Sequence, residues 1–111
     1  MPVPESFNQK VWNLAKNIPK GKVTTYKIVA EKLGTRAYRA VGHALRRNPH
    51  SPIVPCHRVV KSDGSIGGFN GNLNPKSKEV GEKIQMLRKE GVKIKNNQVM
   101  KFKDVLYNLN P

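Results

Sequence analysis

The residues with the clearest chemical potential are Pro55-Cys56-His57-Arg58-Val59, a segment that contains the chain's only cysteine. A thiol attacks an electrophile as its thiolate, and free cysteine titrates near pH ~8.5. A neighbouring base or positive charge lowers that value. His57 and Arg58 can supply both, so the segment predicts an activated cysteine nucleophile. The same spacing also fits a small buried cysteine of the core, and the rest of the chain must distinguish the two.

The composition indicates one small domain with an anionic partner. The chain has 111 residues and a net charge of +14, from 21 Lys and Arg against 7 Asp and Glu. Such an excess suits a polyanion such as nucleic acid, although a Lys-rich surface that aids solubility gives the same count. No window approaches the roughly 18 apolar residues of a membrane span. We expect a soluble, cytoplasmic protein without membrane contact, associated with the nucleoid in a prokaryote or nuclear in a eukaryote.

The histidines do not form a metal-binding pattern. His43, His50 and His57 recur every seven residues, but the prolines between them interrupt any helix that could align them. A single cysteine also excludes an internal disulfide. We therefore expect neither a metal nor another cofactor.

Helical periodicity dominates the first half of the chain. A helix over about residues 6–18 opens on a capping box. Two threonines can cap a second, short helix that ends at Gly34. A third helix runs over about residues 35–47, with Ala37 and Val41 pointing inward. Two helices joined by a glycine turn, the second bearing arginines, fit a helix-turn-helix, and an ordinary helical pair fits as well.

The second half predicts a loop, a helix and a hairpin. The last major helix begins at Asn74 or Ser77 and ends at Gly91. Alternating segments on either side of Asn96-Asn97 are typical of a β-hairpin, which would form a small wing. A closing helical turn follows over residues 105–109. The predicted fold is mainly α with a small β-hairpin, a winged helix-turn-helix in a single domain.

Four segments in this order resemble the O6-alkylguanine-DNA alkyltransferases, also called methylated-DNA-protein-cysteine methyltransferases. The resemblance covers about residues 6–107 and concerns the family's C-terminal DNA-binding and active-site domain. It implies a single such domain over residues 1–111 without the family's N-terminal domain, so that the natural protein is either a single domain or longer than this chain. The four segments are Arg39-Ala40-Val41-Gly42, Arg47-Asn48-Pro49, Pro55-Cys56-His57-Arg58-Val59 and Gly67-Gly68-Phe69.

The resemblance implies a mechanism. Cys56 would accept the alkyl group of O6-alkylguanine in one irreversible step. His57 would draw the thiol proton through a water, and Glu90 would orient and polarise His57, as in other nucleophile relays. Tyr26 would donate a hydrogen bond to the departing base. Arg39 would fill the helix space left by the extruded nucleotide.

The resemblance also implies a DNA-binding helix and a substrate pocket. The third helix would enter the minor groove, where small residues permit close approach. Tyr38 and His43 depart from the small residues common at these positions in the family. Arg58 is expected to anchor loops through backbone carbonyls rather than to take part in transfer. The implied DNA-facing residues are Ala37, Tyr38, Arg39, Ala40 and Gly42. The implied hinge and pocket residues are Asn48, Val59, Phe69 and Asn70.

Three functions remain open at this stage. The leading one is a monomeric, stoichiometric DNA-repair alkyltransferase that acts on double-stranded DNA containing O6-alkylguanine. The second is an alkyltransferase-like damage sensor, which binds the lesion without removing the alkyl group; such proteins carry a different residue at the cysteine position. The third is a plain winged-helix regulator, which leaves the Pro-Cys-His-Arg segment unexplained.

Overall fold

The structure is a computed structural model that describes residues 6–48, 53–69 and 71–109. These residues contain five α-helices and two small sheets. This mainly helical architecture confirms the predicted class. No helix within these ranges is long and apolar enough to cross a membrane. In chain order the elements are α1 (Phe7–Ala15), β1 (Thr24–Thr25), α2 (Tyr26–Lys32), α3 (Tyr38–Arg46), a 3₁₀ helix (Cys56–Arg58), β2 (Val59–Val60), α4 (Lys78–Lys89), β3 (Ile94–Lys95), β4 (Gln98–Val99) and α5 (Phe102–Val105).

Side-chain caps determine where three of the helices begin. The hydroxyls of Ser6, Thr25 and Ser77 each accept a hydrogen bond from the backbone N–H three residues further on, at 3.1, 3.0 and 3.2 Å. Each cap satisfies one of the N–H groups that a helix start leaves without an intrahelical partner. The predicted starts of α1, α2 and α4 are confirmed.

The start of α3 differs from the prediction. The hydroxyl of Thr35 accepts the N–H of Ala37 at 3.1 Å, a local turn that competes with helix, so α3 begins only at Tyr38. The prediction that Ala37 points into the core is therefore wrong, because Ala37 is exposed and precedes the helix. Val41, by contrast, is buried as expected.

A parallel two-stranded sheet joins the start of α2 to the cysteine segment. Thr24 of β1 pairs with Val59 of β2, and all the residues of both strands are buried. Because β2 follows the 3₁₀ helix directly and β1 precedes α2 directly, this pairing brings Cys56 and Tyr26 to one side of the molecule. The sequence did not predict this sheet, since strands of two residues are too short to show alternation.

The helices enclose the larger of two apolar clusters. Trp12 on α1 packs against this cluster, and its indole N–H donates to the backbone carbonyl of Ala44 in α3 at 2.7 Å. The cysteine segment contributes buried residues to the same cluster. Its buried members are Val11, Ala15, Ile18, Val29, Ala30, Val41, Ala44, Leu45, Val54, Cys56, Val59, Phe69 and Leu109.

The C-terminal part adds the predicted hairpin. Strands β3 and β4 are antiparallel, and the turn residues Asn96 and Asn97 have φ of +51° and +62°. Such left-handed residues are those that a tight two-residue hairpin requires. The closing helix lies earlier than predicted: α5 ends before Leu106, because Leu106 forms a bridge with Val23 instead of continuing the helix.

Candidate active site

Cys56 lies in the wall of a cavity between α3 and the segments of residues 67–69 and 71–73. The cavity volume is about 560 Å³, within the range of roughly 300–1,000 Å³ usual for ligand sites. Cys56 is 7% exposed, and its backbone N–H donates to the carbonyl of Val54 at 2.9 Å. The thiol is thus buried yet open to a ligand that enters this cavity.

His57 and Glu90 form a hydrogen-bonded pair behind the cysteine. His57 is 2% exposed, and its Nε2 lies 3.1 Å from Oε1 of Glu90. A carboxylate only accepts, so Nε2 carries the proton and Nδ1 is the basic nitrogen. Nδ1 is buried and has no hydrogen-bond partner among the residues that the structure describes. The pair is oriented for a base that uses Nδ1, and burial lowers the pKa of His57 against the opposing effect of Glu90.

Arg58 binds both carboxylate oxygens of Glu90. Its Nε donates to Oε1 at 2.9 Å and its Nη2 to Oε2, a bidentate pair. Its Nη1 donates to the carbonyl of Ile18 at 2.8 Å, as expected for a residue that anchors a loop. Desolvation raises the pKa of Glu90, but the hydrogen bonds from Arg58 and His57 outweigh it, and the net direction is downward. Glu90 is therefore a carboxylate, at the C-cap of α4 where the helix dipole alone would disfavour it.

Lys83 is a functional candidate that the sequence analysis missed. Its side chain is fully buried, and Nζ donates to the carbonyls of Val59 at 2.7 Å, Ile66 at 2.6 Å and Gly68 at 3.1 Å. The hydroxyl of Tyr26 lies 3.5 Å from the same nitrogen. A signal was present, because a lysine here occupies the apolar stripe of α4 three residues after the core position at 80.

The ionisation of Lys83, Tyr26 and Cys56 is linked. Burial lowers the pKa of Lys83 to about 7, while a thiolate at Cys56 acts in the opposite direction. Burial raises the pKa of Tyr26 to about 12, and a Cys56 thiolate adds to that rise. Tyr26 thus keeps its proton and remains a donor at neutral pH. Ionisation of the thiol favours the ammonium form of Lys83.

The outer face of α3 supplies a basic wall to the cavity. Arg39, His43 and Arg46 follow a spacing of four and three residues, which places them on one helical face, and all line the cavity. Arg46 lies over Gly71, where a Cβ would come within 2.6 Å of its Nε. No Asp or Glu occurs among the described residues of the lining. The cavity therefore favours an anionic or electron-rich ligand.

The structure brings most of the predicted site residues together. Asn48 donates from Nδ2 to the carbonyl of Val54 at 2.7 Å and so ties the end of α3 to the cysteine segment. Ala37 and Ala40 do not line the cavity, and Val59 contributes its carbonyl to Lys83. Asn70 lies outside the described residues. The predicted residues that do line the cavity are Tyr26, Tyr38, Arg39, Gly42, Cys56 and Phe69.

Metal ligation finds no support in this geometry. Within residues 6–48, 53–69 and 71–109 no group of three or more His, Cys, Asp or Glu side chains could hold an ion.

The fold and the site together define a small helical domain with an activatable cysteine in a basic cavity. The chain belongs to the 6-O-methylguanine DNA methyltransferase family, because the family's DNA-binding domain matches residues 6–92.

Relatives and solved structures agree with this assignment. A methylated-DNA-protein-cysteine methyltransferase of Pyrobaculum aerophilum is 57% identical over 61 residues, or 55% of this chain and 40% of the relative. One of Methanocaldococcus jannaschii is 50% identical over 74 residues, or 67% of this chain and 42% of the relative. The chain thus spans less than half the length of these two relatives.

Two DNA complexes are similar in structure. Mycobacterium tuberculosis OGT in complex with DNA has a TM-score of 0.68 at 35% identity, covering 79% of this chain and 51% of that one. S. pombe Atl1, bound to damaged DNA containing O6-carboxymethylguanine, has a TM-score of 0.73 at 29% identity, covering 96% of this chain and 98% of that one.

Proposed function

We propose that this protein repairs double-stranded DNA by transferring the alkyl group of O6-alkylguanine to Cys56. The observation that carries the proposal is the cavity that exposes Cys56 to a ligand, with the His57–Glu90 pair behind the thiol. The relatives named as methyltransferases support the same chemistry. The protein would be consumed in the reaction, since the carbon–sulfur bond of the thioether product is stable and the thiol is not regenerated.

The transfer is a substitution at the alkyl carbon. His57 takes the thiol proton on Nδ1 through a bridging water, and the thiolate sulfur forms a bond to the alkyl carbon as the bond from carbon to O6 breaks. The electron pair stays with the guanine, and Tyr26 stabilises that charge through its O–H. Lys83 adds a positive charge close to Tyr26 when it is protonated, the form that the Cys56 thiolate favours. The guanine anion takes up a proton from solvent, the imidazolium of His57 returns its proton to solvent, and Cys56 keeps the alkyl group.

DNA docking is proposed for the basic face of α3. Helices α2 and α3 would act as a helix-turn-helix, with the β3–β4 hairpin as its wing, in a domain spanning the described residues. The cavity opens beside Arg39, so an extruded nucleotide could enter it while Arg39 occupies the gap in the duplex. We assign α3 to the minor groove, where small residues such as Ala40 and Gly42 permit close approach.

The test is a mass measurement on Cys56. The protein is incubated with a duplex carrying one O6-methylguanine, and we expect one added methyl group on the peptide that contains Cys56. Cys56→Ser should bind the same duplex without gaining mass. A wild-type protein that binds the lesion, remains unmodified and leaves the base methylated would contradict the proposal.

A second candidate function is a damage sensor that binds the lesion without transfer. The specific observation in its favour is the similarity to Atl1 over nearly the full length of both chains. The hydrogen-bonded relay behind Cys56 favours transfer instead. Tight, lesion-specific binding with an intact O6-alkylguanine after prolonged incubation would establish the sensor.

A further inference from the structure

Glu90 is shared between two partners of different charge. Its Oε1 accepts from Nε2 of His57 at 3.1 Å and from Nε of Arg58 at 2.9 Å, and its Oε2 accepts from Nη2 of Arg58. The carboxylate side chain is only 12% exposed and that of Arg58 16%. Water can therefore do little to screen either ion.

This arrangement affects whether His57 can act as a base. A buried carboxylate within hydrogen-bond distance of an imidazole stabilises the imidazolium form. An imidazolium already carries protons on both nitrogens and cannot accept one from a thiol. A pair made only of His57 and Glu90 would therefore favour the imidazolium form of His57, which cannot act as a base.

Resting on the proposed transfer function, we propose that Arg58 is a positioning residue that binds both oxygens of Glu90 and thereby keeps His57 a neutral, correctly oriented base. The guanidinium balances the negative charge that the imidazole would otherwise pair with. At the same time it leaves Oε1 in place to accept the Nε2–H, which keeps Nδ1 unprotonated. The contact to Ile18 fixes the guanidinium in this position.

The other charges around His57 do not replace Arg58. Lys83 acts on His57 from α4, Glu90 from the C-cap of α4, and Arg58 from its own 3₁₀ helix. Lys83 opposes the imidazolium as Arg58 does, but its ammonium is held by backbone carbonyls and Tyr26 rather than by Glu90. Arg58 alone among these groups both supplies the charge and orients the carboxylate.

The experiment reads the protonation of His57 directly. The imidazole signals of the three histidines are followed by NMR across pH in the DNA-free protein, and His57→Gln identifies the signal of His57. Arg58→Met removes the guanidinium. Arg58→Lys keeps a positive charge but lacks the planar guanidinium that binds both oxygens of Glu90. Arg88→Met is the matched control, because the Arg88 guanidinium donates to the carbonyl of Ile94 at 2.9 Å, while Glu90 pairs with Arg58 instead.

We expect His57 to titrate at higher pH in Arg58→Met than in the wild type or in Arg88→Met, and Arg58→Lys to fall between them. Single-turnover transfer at about pH 6.5 should drop about tenfold in Arg58→Met and recover as the pH is raised. The double variant Arg58→Met with Glu90→Gln removes both charges, so the titration of His57 should move back to lower pH.

Several results would overturn the inference. An unchanged or lower titration of His57 in Arg58→Met would remove its basis, and so would a loss of transfer that is equal at every pH, which is the signature of a mere anchor. If Arg58→Met does not fold, an Arg58→Lys titration identical to that of the wild type would have the same effect. A wild-type protein without any transfer would instead disprove the proposed function, and the NMR titration would still decide the role of Arg58.

Discussion

Lys83 is fully buried, which is rare for a lysine in a folded domain. Its ammonium lies among three backbone carbonyls and next to Tyr26. A buried cation near a thiol stabilises the thiolate, so this residue links the helix α4 to the reactivity of Cys56.

We expect Lys83→Met to slow alkylation of Cys56 by iodoacetamide about tenfold near neutral pH, because the variant lacks the positive charge that stabilises the thiolate. The three carbonyls also lose their donor, so stability should fall by about 2 kcal/mol, measured by urea unfolding. Lys78→Met, an exposed lysine on the same helix, is the control and should change neither quantity. An unaltered alkylation rate in folded Lys83→Met would exclude the electrostatic role.

Tyr26 gives a prediction about alkaline stability. Its pKa is raised by burial from 10.0 to about 12, so the folded state binds its proton more tightly than the unfolded state does. The resulting stabilisation is complete below about pH 10 and is lost as the pH rises towards 12, up to about 3 kcal/mol. Urea unfolding across this window should show a steeper loss in the wild type than in Tyr26→Phe. Parallel curves for the two proteins would mean that the phenol is not protected by the fold.

Among the elements, the β3–β4 hairpin offers a separate test of local backbone preference. Asn97 has φ of +62° and its side-chain oxygen is buried without a hydrogen bond among the described residues. Asn97→Gly should raise the free energy of unfolding by about 0.5 kcal/mol, because glycine adopts this conformation freely. Asn97→Val should lower it by about 1 kcal/mol or more. Urea unfolding of both variants measures the difference, and transfer should be unaffected.

How far each element could be predicted depended on its length and its contacts along the chain. Helices α1, α2 and α4 could be predicted from their capping residues and from a repeat of apolar residues. The hairpin could be predicted from its asparagine pair. The β1–β2 sheet could not be predicted, because two-residue strands show no period and their pairing joins positions far apart in sequence. The role of Cys56 could be predicted from the family resemblance. The hydrogen bonds of Lys83 to backbone carbonyls and of Arg58 to Glu90 depend on tertiary packing, which no local sequence pattern shows.

On the scale of the whole molecule, charge governs how the protein would approach the duplex DNA proposed as its partner. The net charge of +14 gives a general attraction to phosphate, while Arg39, His43 and Arg46 concentrate a specific face on α3. Binding to duplex DNA should therefore weaken steeply with salt.

A charge substitution on α3 should reduce that salt dependence. We expect Arg46→Gln to lower the slope of log Kd against log salt by the contribution of about one phosphate contact. The slope is measured by fluorescence anisotropy with a labelled duplex. Lys103→Gln, an exposed cation on α5 outside the cavity lining, should change the slope less. Equal changes in both variants would show that the attraction is diffuse and that α3 is not the docking helix.

The hydrogen bond between Trp12 and Ala44 has a practical consequence. Trp12 is the chain's one tryptophan, and its indole is fastened to the backbone of the helix proposed to contact DNA. A displacement of α3 as DNA binds would alter the polarity around the indole, and so the wavelength and intensity of its emission. The protein thus contains its own optical reporter, and the kinetics of the proposed docking can be followed without an attached dye.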